Sequence, residues 1–205
     1  MNDQDTLFSP PDAPDFTGPA FFKDAAFTKL QHADEVITGV EFYRCTFTSC
    51  SFFRTKFIDC DFENCTFAHC DLSLIVLQSC RLLDVSFEQS KIVGTDWTHL
   101  RQPVRFSFAG CKLDGGNFLR MALPGLRLVD SSARDCDFTE AKVVKADFSD
   151  TDFEGARFVE TDLSFANFTG AHNYAIDPNR VKLKKTIFAL PDAVALLNRF
   201  DIILK

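Results

Sequence analysis

Residues 40–72 read VEFYR CTFTS CSFFR TKFID CDFEN CTFAH CDL, and the division into fives is the sequence's own. Phe42, Phe47, Phe52, Phe57, Phe62 and Phe67 fall at every fifth position, and Leu72, Leu77, Leu82, Phe87, Ile92 and Trp97 continue the frame. Two residues before each stands a compact residue: Val40, Cys45, Cys50, Thr55, Cys60, Cys65, Cys70 and onward to Thr95. The frame resumes one residue out of phase at Phe108 and runs through Phe118, Leu128, Phe138, Phe148, Phe153, Phe158 and Phe168 to Asn173. A period of five is neither the 3.6 of a helix nor the 2.0 of a flat strand. Self-similarity over so many units is the mark of a solenoid.

The large residue of each unit and the compact one before it are expected to face a narrow interior. Phe rings one coil apart can stack at the strand spacing of ~4.8 Å, and each buried Phe contributes roughly 1.5–3 kcal/mol. All eight Cys, from Cys45 to Cys136, occupy the compact inward position. Zinc spacings of the Cys-x2-Cys kind are absent, so the thiols read as small buried hydrophobes. A ladder of disulfides is disfavoured by parallel Cβ vectors and a reducing compartment.

Several units, Ala146-Asp147-Phe148, Thr151-Asp152-Phe153, Thr161-Asp162-Leu163 and Ala166-Asn167-Phe168, match the pattern A-(D/N)-(L/F)-x-x. In this the chain resembles the pentapeptide-repeat family. The resemblance implies an all-β fold: a right-handed, quadrilateral parallel β-helix in which four pentapeptides close one coil, with a C-terminal helix and strand cap. The units from 42 to 173 would then make about 6.5 coils, or ~31 Å of rod at the strand spacing.

Around that core, residues 1–20 carry four Pro and four Asp with no basic residue. They are expected to form a mobile acidic N-terminal arm, with Phe8 and Phe16 as its possible anchors. The β-helix is assigned to 21–173. In its N-terminal cap, 21–41, His32 falls at a large position and Glu35 at a compact one, so the frame is expected to fail there, leaving His32 partly exposed. From Trp97 to Phe108 is two repeats plus one residue, so the segment 98–107 is expected to bulge or loop outward, carrying Arg101, Arg105 and Pro103. Its role as a binding loop and as a tolerated insertion stand level. Met121 and Leu126 are large for the compact position and Ala133 small for a centre, which predicts compensating volumes. Beyond Asn173 the repeat is expected to stop. Residues 174–205 then form a C-terminal cap, with a short helix over Pro191–Phe200 and a strand over 201–205. Leu197, Phe200, Ile202, Ile203 and Leu204 exceed what one coil end needs to cover, and predict a two-fold homodimer.

The balance of 22 Lys and Arg against 29 Asp and Glu gives a net charge of -7, which argues against direct nucleic-acid binding. Residues 1–20 lack the basic and apolar regions of a signal peptide, and no apolar run reaches the ~20 residues that span a bilayer. A cytoplasmic protein with no membrane association is expected. Nucleophile, base and orienting residue are nowhere set together, and no phosphate loop or metal signature appears, so no enzyme activity, cofactor or metal is predicted. Residues 135–162 hold nine acids against three bases. Among them Asp135, Glu140, Asp150, Glu154 and Glu160, with Arg101 and Arg105, are the candidate partner-binding residues. Asp147, Asp152 and Asp162 read more naturally as turn residues bonding nearby amides.

The ending Asn173-Tyr174-Ala175-Ile176-Asp177 followed by Phe188-Ala189-Leu190-Pro191-Asp192-Ala193, and Gly94-Thr95-Asp96-Trp97-Thr98 before the insertion, are similar to the topoisomerase-protecting branch of the family, the quinolone-, albicidin- and microcin-resistance proteins. That resemblance implies a dimeric, acidic, DNA-mimicking rod that binds DNA gyrase or topoisomerase IV and protects it from an inhibitor. A scaffold or adaptor with no topoisomerase partner, and direct binding of a toxin, are the alternatives.

Overall fold

The computed structural model of the chain describes residue 16, residues 18–200 and residue 202. It is a four-walled parallel β-solenoid of about 8 turns. The first wall stacks Ala20–Lys23, Val40–Tyr43, Asp61–Glu63 and Arg81–Leu83. The second stacks Ala26–Thr28, Thr46–Thr48, Thr66–Ala68, Val85–Glu88, Phe106–Ala109 and Arg127–Val129. A third wall is built of single bridges from Gln31 through Ser51, Asp71, Lys91, Lys112, Ser132 and Asp152 to His172. The fourth starts with Val36–Thr38, Lys56–Ile58 and Val76–Gln78. Partners lie twenty residues apart, as in Phe42↔Phe62 and Phe47↔Phe67.

Every large residue of the frame from Phe42 to Phe168 is buried, as are the compact residues that precede it. The rings stack coil on coil: Phe47 on Phe67 at 4.5 Å and 5°, Phe118 on Phe138 at 4.8 Å and 0°, Phe138 on Phe158 at 5.2 Å and 3°. Met121, Leu126 and Ala133 are each buried.

The chain turns most corners through a left-handed residue two positions after the centre, among them Arg44 (φ 52), Asn64 (φ 55), Glu140 (φ 58) and Lys145 (φ 61). This conformation costs a non-glycine residue roughly 1–2 kcal/mol. Bonds between coils offset it, such as Arg44 N–H to the Glu63 carbonyl at 2.9 Å. The corners come in two kinds. In one the N–H of the compact residue closes a β-turn onto the centre three residues back, as in Ala141 to Phe138 at 3.0 Å and Ala156 to Phe153 at 3.0 Å. With the positive φ at its third residue this is type II geometry.

In the other kind a side chain takes over: Cys60 Sγ donates to the Ile37 carbonyl at 3.5 Å and the Ile58 carbonyl at 3.4 Å. Cys65, Cys70, Cys80, Ser90 and Thr161 repeat the pattern. Most of the inward Cys, Ser and Thr are thus donors to carbonyls one coil back, not merely small fillers; Thr95 is an exception, its Oγ1 buried without a partner. All eight thiols are free and buried. Burial pushes Cys65 and Cys136 up to about 12, so they stay protonated.

Three expectations are corrected. At the start the frame holds at its centre and fails only at the compact site, where Glu35 stays outside: Gln31 bridges Ser51, and His32 takes an inward position, 9% exposed, stacked on Phe52 at 6.0 Å and 10°. Its flat ring substitutes for a Phe, and Glu35, exposed, reaches its Nδ1 at 2.7 Å. Phe16 closes the open end, buried against Phe22, Phe42 and His32 with centroids 4.8–5.4 Å away. The rest of the arm, 1–15 and 17, lies outside the described residues.

Second, the pairing runs past Asn173. Lys182 bridges Asp162, and Ile187–Phe188 pairs with Asn167–Phe168. The rod is therefore longer than 6.5 coils, ~38 Å at the strand spacing. Third, of the bulge or loop expected at 98–107 the structure has the bulge: the surplus residue is taken up at the exposed Arg101, Gln102 and Pro103 without a projecting loop. Val85 pairs with Phe106 and Lys91 with Lys112, a single coil of 21 residues. Arg101, Gln102 and Pro103 stay outside while Leu100, Val104 and Phe106 turn inward. Phe106 enters the core against Trp97 at 5.1 Å.

The C-terminal helix is a 3-10 helix over Asp192–Arg199 with Pro191 as its N-cap. Of the strand expected at 201–205 only Ile202 is described, and it is in no strand.

Candidate functional site

The filled axis leaves the outer walls and the two ends as the surfaces on which a partner can act. At the corners, side chains twenty residues apart stand one above another. Many of them are opposite charges: Arg44 on Asp24 at 2.6 Å, Arg54 on Asp34 at 2.8 Å, Arg81 on Asp61 at 2.9 Å. Exposed pairs of this sort contribute little each, but they tie up most of the charges of the N-terminal half.

The sequence-chosen residues do not form one patch. Arg105 grips Asp84 with Nε at 2.8 Å and Nη2 at 2.6 Å, and Arg101 donates to Asp61. Both arginines are therefore rungs of the ion-pair ladder and not free cations. Glu140 is gripped by Arg120 at 3.0 Å through Nε and Nη2, which holds its carboxyl below the usual range. Glu160 is exposed on the same corner as Glu140, between the fourth and first walls.

Asp135, Asp150 and Glu154 do come together. Glu154 lies on the third wall, and Asp150 and Asp135 stand at the corners that flank it, φ 55 each. Asp150 leans over Gly170, where an added Cβ would come within 2.1 Å of Oδ1, and Asp135 leans over Gly155 in the same way at 2.2 Å. A glycine at the next corner makes the room each carboxylate occupies.

The third wall adds acids that the sequence did not single out as a surface. Asp114, Asp130 and Asp152 join Asp135, Asp150 and Glu154, against Lys112 and Arg134, a balance of six to two or -4. Arg134 lies among them, 2.7 Å from Asp152 through Nε and 3.2 Å from Glu154 through Nη1. Asp152 is 8% exposed and anchors the turn, accepting from Glu154 N–H at 3.1 Å and Asn173 Nδ2 at 2.9 Å. Asp147 and Asp162 accept from the amides of Ser149 at 3.3 Å and Ser164 at 3.1 Å. These three are turn residues first.

At the C-terminal end Ala195 and Leu196 pack on the core, while Leu190 (80%), Ile202 (53%), Phe200 (44%) and Leu197 (38%) remain exposed. Ile203 and Leu204 lie outside the described residues. At the 21-residue coil the first wall opens into a groove of 370 Å³ lined by Asp84, Val85, Val104, Arg105, Phe106 and Leu123. Among the described residues there is no cluster of three metal-ligating side chains, and no helix is long and apolar enough to cross a membrane.

Two family models match the chain, one described as a pentapeptide repeat region over residues 40–118 and one as pentapeptide repeats (8 copies) over residues 136–172. The chain belongs to the pentapeptide-repeat family. Among solved structures it is similar to full-length QnrB1, a plasmid-mediated fluoroquinolone resistance protein, at 18% identity and a TM-score of 0.55, covering 89% of this chain and 100% of that one. It is also similar to HetL, a pentapeptide repeat protein involved in heterocyst differentiation regulation from the cyanobacterium Nostoc, at 16% identity and a TM-score of 0.43, covering 81% and 86%. No curated protein matches it in sequence. The family is mostly non-enzymatic.

Proposed function

We propose that this pentapeptide-repeat protein binds a type II topoisomerase, DNA gyrase or topoisomerase IV, and protects it from an inhibitor. The acidic third wall of the C-terminal half, with Asp135, Asp150 and Glu154 foremost, imitates one edge of a DNA duplex. The observation that carries this is the fixed array of carboxylates on one rigid wall. Its balance of -4 is spread over about 10–14 Å, where one DNA strand at a charge per 3.4 Å carries three or four. The whole rod does not imitate DNA, because most charges of the N-terminal half are internally paired. The exposed apolar cap, Leu197, Phe200 and Ile202, with Ile203 and Leu204 beyond it, joins two copies end to end.

The sequence likeness to the resistance branch and the fold shared with QnrB1 support this role. The test is a gyrase supercoiling assay with purified chain, with and without a fluoroquinolone. Inhibition of supercoiling, or its rescue from the drug, is expected, and Asp150→Lys with Glu154→Lys should weaken either effect tenfold or more. A dimer that leaves supercoiling and drug action unchanged would point instead to a scaffold or adaptor.

A further inference from the structure

The acid wall has an opposite. On the first wall of the same half, Ala122, Lys142, Asp162 and Lys182 bridge in one row, and Lys184 follows Lys182 on that wall. Lys145 and Lys185 stand at its corner, φ 61 and 54. All five lysines are exposed. Lys182 is shared with Asp162 at 3.5 Å, and the other four make no ion pair among the described residues. Phe165 lies on the corner between Lys145 and Lys185, 40% exposed, with Lys184 Nζ 5.8 Å from its ring centroid. At the corner between the fourth and first walls Arg120 and Arg180 offset Glu140 and Glu160, so five lysines against Asp162 leave the wall a balance of +4.

We infer that this lysine wall is a binding surface for the phosphate backbone of DNA. The net charge of -7 hides it, because the two charged walls stand back to back. Sheets pack ~10 Å apart and charged side chains extend farther, so the two sets of charges are more than a Debye length of about 8 Å apart at physiological salt. Each wall then presents its own sign to a partner.

Charge density selects the ligand class. The wall offers +4 over about 10–14 Å, matching one strand of DNA at a charge per 3.4 Å. An extended acidic peptide shows same-side residues only every ~6.8 Å, half that density. The exposed Phe165 ring among the lysines adds a face on which a base or sugar can rest. This inference does not depend on a topoisomerase partner.

The test is fluorescence anisotropy of a labelled 30-base-pair duplex with the full chain, in the absence of any topoisomerase. Binding at 50 mM salt is expected. With three to four phosphates neutralised it should weaken roughly 40- to 150-fold on going to 200 mM. Lys145→Glu, Lys184→Glu and Lys185→Glu together should weaken it at least tenfold. Glu140 and Glu160 already occupy equivalent left-handed corners, so the variant should keep its circular dichroism and melting temperature. Asp150→Lys with Glu154→Lys, on the opposite wall, should leave binding unchanged or tighten it. No binding at 50 mM salt, or binding indifferent to the lysine reversals, would overturn the inference. Capture by phosphatidylserine vesicles without binding to the duplex would also overturn it and assign the wall to a lipid surface.

Discussion

The two halves of the rod use the same coil for different ends. In the N-terminal half, outward charges alternate in sign from coil to coil, Asp24 with Arg44 and Asp34 with Arg54. In the C-terminal half such pairs persist, Arg120 with Glu140 and Arg157 with Asp137, but the remaining carboxylates gather on the third wall and the lysines on the first. The interiors differ in parallel. The N-terminal half fills its compact sites with Cys, whose thiols donate to carbonyls of the coil before. The C-terminal half turns mainly through the backbone, the N–H of the compact residue closing a tight turn at Gly116, Met121 and Leu126 and at a series of Ala from Ala141 to Ala171. The lesson is that a pentapeptide coil leaves its outside free. Once rings fill the axis, outward residues can either neutralise one another or be sorted into faces, with little consequence for folding.

The largest effect should come from the core, and it should be alike in both halves. Phe153→Ala and Phe47→Ala remove fully buried rings and should each cost about 3–5 kcal/mol in urea unfolding. A loss under 1 kcal/mol at either site would break the equivalence of the two interiors.

The corner types make a sharper contrast. Thr161 Oγ1 donates to the Phe138 carbonyl at 2.8 Å and has no counterpart at Ala156, where the backbone closes the turn. Thr161→Ala should cost about 0.5–1.5 kcal/mol, whereas Ala156→Ser should gain no comparable bond. Equal and negligible effects on melting at both sites would mean that the side-chain donor does not matter.

The ion-pair ladder should matter least. Arg54→Ala should change stability by less than about 1 kcal/mol. Its signature is in pH. Arg44 holds Asp24, Arg105 holds Asp84 and Arg120 holds Glu140 below the ordinary carboxylate range. Groups whose folded pKa is depressed stabilise fully above the unfolded value of about 4, and that contribution is lost as pH falls through the folded one. Thermal unfolding should therefore be flat in this contribution above about pH 5 and decline below about pH 4. A ladder-driven decline beginning near neutrality would contradict the pairing.

The fold was legible because burial repeats: Phe at every fifth residue can only face the axis. The ends were less so. His32 breaks the apolar pattern yet serves as a ring, and Leu183 and Phe188, partly buried under the cap, continue a frame that Asn173 interrupts. The surfaces were legible only in part. A window such as 135–162 runs around all four walls, so its nine acids mix Asp150 and Glu154, which share a face, with Glu140 and Glu160, which belong to another edge. Lys145 and Lys185 are forty residues apart and stand two coils apart on one corner. Charge sorting is a property of the register and appears only when residues are compared at steps of twenty, with the extra residue near Pro103 counted.

The most direct test of the central claim, that the C-terminal half carries a partner-binding acidic wall, is the affinity of purified gyrase for three forms of the chain in one binding experiment. The wild type should bind. Asp150→Lys with Glu154→Lys should lose tenfold or more, while reversal of the paired Asp34 and Arg54 in the N-terminal half should change nothing. Equal affinity of all three forms, or no affinity in any, would contradict it.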